Sequence, residues 1–301
     1  MMFLILNHQD THLKIHTENT EEKQKKKSKL LKAYYKMTWK ITQKVDNLPK
    51  LKDPILIEGL PGIGNVGKVA VDFIIEELGA KKLYEFFSYS FPHSVFISEE
   101  NLVELPTISL YYKKLKEGDN DLLLLAGDIQ PIDEESCYKF TEKILDILGE
   151  FKGNKVITLG GIGLQSVPKV PKVYCTGNSK EIVKEYKINK VSDNLYGVVG
   201  PIVGVSGLLP GLAKKKNIDG VCLLAETFGH PMYLGVKGAK EILKVLDKKH
   251  NFELDLKELE KEIKDIESEM VKRTKDFGDM SKQSAMNKMQ GKGDKEVNYI
   301  G

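Results

Sequence analysis

The sequence predicts a three-layer α/β domain with a mostly parallel sheet, and two patterns between about residues 50 and 250 predict it. Apolar runs recur there, as in PILIEGL, LYEFF, DLLLLAGD, KVITLGG and GVCLLAET. Continuous apolar runs of this length are typical of strands that are covered on both faces. Segments with a helical period lie between several of these runs, and strands that alternate with helices indicate an α/β domain.

The composition of the 301 residues favours a globular cytoplasmic protein. Hydrophobic residues make up 41% of the chain and charged residues 30%, and no apolar run approaches the roughly 20 residues of a membrane helix. The three cysteines lie far apart, which favours reduced thiols over a disulfide framework. We expect no membrane partner, no metal and no cofactor.

The basic residues argue against nucleic-acid binding. Lysine and arginine together number 46, yet Arg273 is the single arginine in the chain. Arginine is the residue preferred for bidentate recognition of phosphate and guanine. The net charge of +3 gives no strong field to attract nucleic acid.

Residues 1–36 differ from the rest because they are dense in lysine and have no apolar period. This composition is typical of a disordered arm, and Met37 follows it directly. We expect an extension that is disordered or absent from the native protein, and an α/β domain over residues 37–250.

A glycine-rich loop follows the first buried strand, in the stretch EGLPGIGNVGKVAVDFI. Gly62, Gly64 and Gly67 match the G-x-G-x-x-G of dinucleotide sites, and the same stretch resembles a P-loop. Val69 stands where a P-loop needs a hydroxyl for magnesium. A ribose-binding acid would follow the second strand of a dinucleotide site, whereas Glu85 lies inside that strand. We therefore expect a structural turn that brings a helix close to the sheet.

Two later segments carry an apolar stripe at helical spacing, and both are expected to be helices on the sheet. The residues of the two stripes are Phe140, Ile144, Leu145 and Leu148, then Ala239, Ile242, Leu243 and Leu246.

Four residues near strand ends are candidates for acid–base chemistry: His93, Asp128, Glu226 and His230. Ligand sites in α/β domains gather at such strand ends, and a histidine with a carboxylate can transfer protons. Each of the four also has an ordinary role as a turn or cap residue. With no nucleophile or metal spacing to join them, we expect no catalytic residues.

An amphipathic helix is predicted over residues 251–277, since apolar side chains alternate there at spacings of three and four. They are Leu256, Leu259, Ile263, Ile266 and Met270. This stripe fits either a helix packed on its own domain or one that associates with other helices. Residues 278–301 show no apolar period and are expected to form a flexible tail.

Several of these stretches together resemble the archaeal proteasome assembly chaperone family, the Pba type, which is related to eukaryotic proteasome assembly chaperone two. The matching stretches are LPGIGNVGKVAVDFI, DLLLLAGDIQP, KVITLGGIG, YGVVGPIVGVSGLLPGLA and GVCLLAETFG. The resemblance implies a fold like that of nucleoside phosphorylases without their site. It also implies homo-oligomers whose carboxyl-terminal tails reach the α-subunits of the proteasome core.

In the family, a hydrophobic–Tyr–X ending inserts between neighbouring α-subunits. The corresponding partner-binding residues here would be Val297, Tyr299, Ile300 and Gly301, although the tyrosine lies third from the end instead of second. An aromatic anchor, an apolar neighbour and a free carboxylate also make a plausible peptide ligand on physical grounds.

The expected function is thus a non-catalytic, homo-oligomeric proteasome assembly chaperone or core-binding adaptor. The alternative is a nucleoside-handling or ATP-dependent ligase-type enzyme that uses the Gly62–Gly67 loop. An oligomeric scaffold for another client is a third possibility. For the tail itself, the alternative is a disordered end with no partner.

Overall fold

The computed structural model describes residues 39–263, except 117–119, 189, 198–199, 232, 258 and 262. The predicted arm (1–36) and tail (278–301) therefore lie outside the described residues. So do Ile266 and Met270 of the predicted helix and the four tail residues Val297, Tyr299, Ile300 and Gly301.

The described chain contains ten strands. They are β1 Lys40–Gln43, β2 Ile55–Gly59, β3 Lys81–Phe87, β4 Phe96–Ile97, β5 Val103–Glu104, β6 Ile108–Lys113, β7 Leu122–Gly127, β8 Lys155–Leu164, β9 Val173–Gly177 and β10 Asp219–Phe228.

Five α-helices alternate with these strands. They are α1 Val66–Glu77, α2 Glu134–Glu150, α3 Lys180–Tyr186, α4 Val205–Ala213 and α5 Val236–His250. Two 3₁₀ turns, Ile63–Asn65 and Lys214–Lys216, precede α1 and follow α4.

Eight strands form one sheet in the order β1-β3-β6-β7-β2-β8-β10-β9. The central strands β7, β2, β8 and β10 are mutually parallel, whereas the outer pairs are antiparallel. Because β3 is antiparallel to β6, which is antiparallel to β7, five of the eight strands point the same way. The carboxyl ends of these five strands lie at the same end of the sheet, and we call it the carboxyl end of the sheet.

Helices cover both faces of this sheet. Ile57 of β2 packs in a core with α1 and α5, while its neighbour Leu56 packs in a second core with α2 and α4. Both faces are buried because successive side chains of a strand point to opposite sides. The predicted three-layer α/β class is confirmed.

The helices that the apolar stripes predict are present and bury those stripes. In α2, Phe140 and Leu148 are fully buried, and Asp133 caps the first turn by accepting a hydrogen bond from the Ser136 amide. In α5, Ala239 and Leu246 are buried in the same way. No helix within the described ranges has the length and apolarity needed to cross a bilayer.

Candidate functional site

The glycine loop lies at the carboxyl end of the sheet, between β2 and α1, and two of its glycines are needed for packing. A Cβ on Gly67 would lie 2.3 Å from the Leu159 carbonyl oxygen of β8. Gly64 has a φ of +61°, which favours glycine, and a Cβ there would lie 2.8 Å from Thr227 Oγ1. Gly62 faces open space, so packing gives no reason for a glycine at that position.

The backbone of the loop also bonds to the rest of the domain. The Gly64 carbonyl accepts a hydrogen bond of 2.7 Å from the Gly235 amide, just before α5. A Cβ on Gly161 of β8 would lie 2.2 Å from the Ile63 carbonyl oxygen. These close approaches hold the β2–α1 turn against β8 and against the segment that follows β10.

The sequence analysis missed a buried carboxyl group, Glu58, directly before this loop. Its Oε1 accepts hydrogen bonds from the Leu60 amide (2.9 Å) and from Ser206 Oγ (3.1 Å). Its Oε2 has no hydrogen-bond partner among the residues that the structure describes, although the side chain is fully buried. Burial raises the pKa of Glu58 to about 7, and the two hydrogen bonds only partly offset that effect. The available signal was a single acidic residue inside the apolar run ILIEG.

Glu58 of β2 is the first of three polar side chains that lie side by side on the neighbouring strands β2, β8 and β10. Thr158 of β8 and Cys222 of β10 are the next residues in register. The Thr158 hydroxyl donates to the Ser206 carbonyl (2.8 Å) and lies 2.9 Å from Cys222 Sγ. Burial raises the pKa of Cys222 to about 12, so this thiol stays protonated and is not a nucleophile at neutral pH. The row anchors α4 to the sheet.

The two predicted acid–base carboxylates, Asp128 and Glu226, accept hydrogen bonds from residues in or next to neighbouring strands. Asp128 follows β7 and accepts hydrogen bonds from the Thr107 amide (3.0 Å) and hydroxyl (3.2 Å). Glu226 of β10 accepts from the Lys172 amide (3.0 Å) and the Tyr174 hydroxyl (3.2 Å). Strands β2 and β8 separate β7 from β10, so the two strands that carry these carboxylates lie roughly 14 Å apart.

The two candidate histidines lie in different loops at the same end. His93 is exposed in the segment between β3 and β6, and the ring of His230 stacks on Phe228 at 5.5 Å. Within the described part of the chain, no three His, Cys, Asp or Glu side chains lie close enough together to hold a metal ion. An open cleft of about 560 Å³ lies at the opposite end of the sheet, where Asn154 and Lys216 contribute to its lining.

The first three residues of the predicted carboxyl-terminal stripe lie against the chain's own core. Leu259 is buried among residues of α1, α3 and α5, and Leu256 and Ile263 are half-buried against the same cluster. Glu260 pairs with Lys240 of α5 at 2.5 Å. The segment 254–263 therefore packs on the face of the domain that α5 covers.

The PAC2 family profile matches residues 56–273, which include the glycine loop, the polar row and all five residues of the predicted carboxyl-terminal stripe. The chain belongs to the PAC2 family. The protein MJ1210 of Methanocaldococcus jannaschii is 33% identical to it over 261 residues, which cover 87% of this chain and 97% of MJ1210.

Two solved structures extend the likeness within the PAC2 family. Pyrococcus furiosus PbaB, an archaeal proteasome activator, matches with a TM-score of 0.71 and 32% identity over 79% of this chain and 99% of PbaB. Pyrococcus furiosus PbaA, an archaeal homolog of proteasome-assembly chaperone, matches with a TM-score of 0.63 and 25% identity. That match covers 84% of this chain and 99% of PbaA. The resemblance read from the glycine-containing stretches is thereby confirmed.

Proposed function

We propose that this chain is a cytoplasmic proteasome assembly chaperone or proteasome-core-binding adaptor, which acts as a non-catalytic homo-oligomer. The observation that carries the proposal is the similarity to PbaB, the proteasome activator, which spans nearly the whole of that protein. The similarity to PbaA, a homolog of proteasome-assembly chaperone, supports the same class of partner.

In this proposal the α/β domain is a rigid body that displays the carboxyl-terminal tail to α-subunits of the proteasome core. Tyr299 is the aromatic anchor, Val297 and Ile300 are its apolar neighbours, and Gly301 supplies the terminal carboxylate. One short peptide binds weakly, but several copies on one oligomer raise avidity about 10²–10⁴-fold when their spacing fits.

Capture of the proteasome core on the immobilised full-length chain tests the proposal. When separated α- and β-subunits are applied, the α-subunits should be retained and the β-subunits should not. Tyr299→Ala removes the aromatic anchor and should abolish capture, whereas Asn298→Ala, one residue away, should preserve it. Undiminished capture by the Tyr299→Ala variant would contradict the tail mechanism, and no capture by the parent chain would contradict the function itself.

The non-catalytic part of the proposal rests on the site geometry. The carboxylates at the carboxyl end are bonded to neighbouring strands, and the glycine loop is packed against β8. Melting temperatures measured with ATP, NAD, nucleosides and phosphate should not move, because a ligand of the folded state raises them by mass action. A clear rise with one of these ligands would favour the ligase-type or nucleoside-handling alternative.

A further inference from the structure

The large apolar side chains that the described chain exposes are concentrated at one end of the molecule. Thirteen of sixteen lie in the loops that follow the carboxyl ends of β2, β3, β7, β8 and β10, or in the first five residues of the next helix. They are Ile63, Tyr89, Val95, Phe96, Ile97, Leu102, Val103, Leu105, Ile132, Tyr138, Val167, Val170 and Leu234.

The apolar side chains exposed at this end add up to a large area. The thirteen, which are spread over the segments after five strands, expose on the order of 1,000 Å² together. One partner in a standard protein–protein interface contributes about 800 Å². The area therefore fits a stable protein interface.

Seven of the thirteen belong to residues 88–107, which contain the hairpin of β4 and β5. Its turn is ordered by hydrogen bonds between Ser98 and Leu102. Ile97 and Val103 are partners in register, so they share one face, and they are 74% and 71% exposed. Phe96, on the other face, is also exposed. A two-stranded hairpin has little stability by itself, so an apolar hairpin of this kind calls for a partner surface.

The charges of the hairpin segment indicate which surface could be its partner. Residues 88–107 carry Glu99, Glu100 and Glu104 and no lysine or arginine. The loop 165–172 between β8 and β9 carries Lys169 and Lys172 and no acidic residue, and its Val167 and Val170 are exposed. Each segment thus combines apolar side chains with one sign of charge among its own residues, and the two signs are opposite. The carboxylate of Glu226 lies beside Lys172, so in the part of the chain that the structure describes Lys169 is the lysine of this loop without an acid bonded to its own backbone.

The two segments do not cover each other within one chain. The hairpin follows β3, and the lysine loop joins β8 to β9, which lie four and six strands further along the sheet. That separation is roughly 19–29 Å, and the apolar side chains of both segments are exposed. Two hairpins facing each other would bring glutamates of like charge together, which opposes a symmetric hairpin–hairpin contact.

We infer that the hairpin 88–107 of one copy docks on the loop 165–172 of a second copy of this chain. Such a head-to-tail contact uses different surfaces on the two partners and produces a closed ring when the rotation allows it. The inference deepens the proposed function, because it rests on the homo-oligomer proposed there and names the surfaces that build it.

The mass of the purified full-length chain in solution, measured by light scattering without proteasome, tests this contact. The parent chain should be a multiple of 33.9 kDa, and Ile97→Asp with Val103→Asp should reduce it to 33.9 kDa. Leu48, 49% exposed at the opposite end of the sheet, provides the matched control, and Leu48→Asp should keep the parent mass. A monomeric parent, an unchanged mass in the hairpin variant or an equal loss in the control would each overturn the inference.

Charge reversal tests the head-to-tail direction. Glu99→Lys with Glu100→Lys should dissociate the oligomer, as should Lys169→Glu with Lys172→Glu, because each places like charges across the contact. The chain with all four changes should regain the parent mass. Failure of the four-fold variant to reassemble would overturn the pairing of these two segments. Since the mass is measured without proteasome, a failed capture experiment with intact oligomers would count against the proposed function alone.

Discussion

Within the described part of the chain, Glu58 combines full burial with a carboxyl oxygen that has no hydrogen-bond partner, and its burial determines how it affects stability. The pKa in the folded chain is about 7, above its ordinary value of 4.5. Between these two pH values the folded chain binds the proton more tightly than the unfolded chain, so the free energy of unfolding falls as the pH rises. The gap between the two pKa values corresponds to about 3 kcal/mol once the pH exceeds both.

Glu58→Gln should therefore stabilise the protein at pH 8, by about 1–3 kcal/mol, because glutamine has a similar shape and no charge to bury. At pH 5 the parent side chain is protonated when folded, so the gain should shrink. Urea unfolding at both pH values measures the difference, and Glu142→Gln on the exposed side of α2 controls for loss of a surface charge. A gain that is equal at both pH values would contradict the assigned cause.

Two glycines of the loop, Gly62 and Gly67, should respond differently to a methyl group. Gly67→Ala places a Cβ against the Leu159 carbonyl oxygen and should lower the free energy of unfolding by about 1–3 kcal/mol. Gly62→Ala meets open space and should change it by less than about 0.5 kcal/mol. Denaturant unfolding of the two variants measures both effects. A larger cost at Gly62 than at Gly67 would contradict the packing of the loop.

The sequence predicted these residues unevenly. Val69, in the place of a hydroxyl, and Glu85, inside its strand, favoured a structural turn over a nucleotide site, and the loop does pack against β8. That it holds no ligand stays a prediction. Glu58 was missed because the apolar run identifies a buried strand and does not show which buried neighbours its one acid meets. Ser206, its hydroxyl donor, lies far away in sequence.

At the scale of elements, the carboxyl-terminal segment is the most informative. The stripe of Leu256, Leu259 and Ile263 fitted either packing on the domain or association with other helices. In the structure these three side chains contact the core beside α5. Whether Ile266 and Met270, the rest of the stripe, also pack on the domain or associate with other helices stays a prediction.

Leu259→Ala should destabilise the folded chain by about 2–4 kcal/mol, because the side chain is only 1% exposed in the core. Lys261→Ala, an exposed change two residues away, should have almost no effect. Thermal and urea unfolding of both variants measure this. Equal stability of the Leu259→Ala variant and the parent would mean that the segment does not pack on the domain in solution.

The remaining elements could be predicted from the sequence where their residues enter the core. The stripes of α2 and α5 and the apolar central strands were predictable, since burial requires a period of 3.6 residues in helices and continuous apolar runs in strands. The order of the strands was not, because long-range pairing leaves no local pattern. The hairpin of β4 and β5 was missed because its apolar side chains remain exposed.

For the whole molecule, the account combines one rigid α/β body, a contact between copies and a displayed tail. If the copies act together, the monomeric variant Ile97→Asp with Val103→Asp should bind the proteasome core about 10²–10⁴-fold more weakly than the oligomer, despite its intact tail. Surface-based binding kinetics of both proteins against the core measure this ratio. Equal affinity would show that one tail suffices and that multiple copies add nothing.

The central claim is that the tail carries the binding to the proteasome core, and one comparison tests it most directly. The dissociation constant for the core should be measured for the full-length chain and for a chain that ends at residue 277. The account predicts an unchanged number of subunits and an unchanged melting temperature for the shortened chain, with its affinity for the core lost. A shortened chain that stays folded and oligomeric and binds the core as tightly as the parent would contradict it.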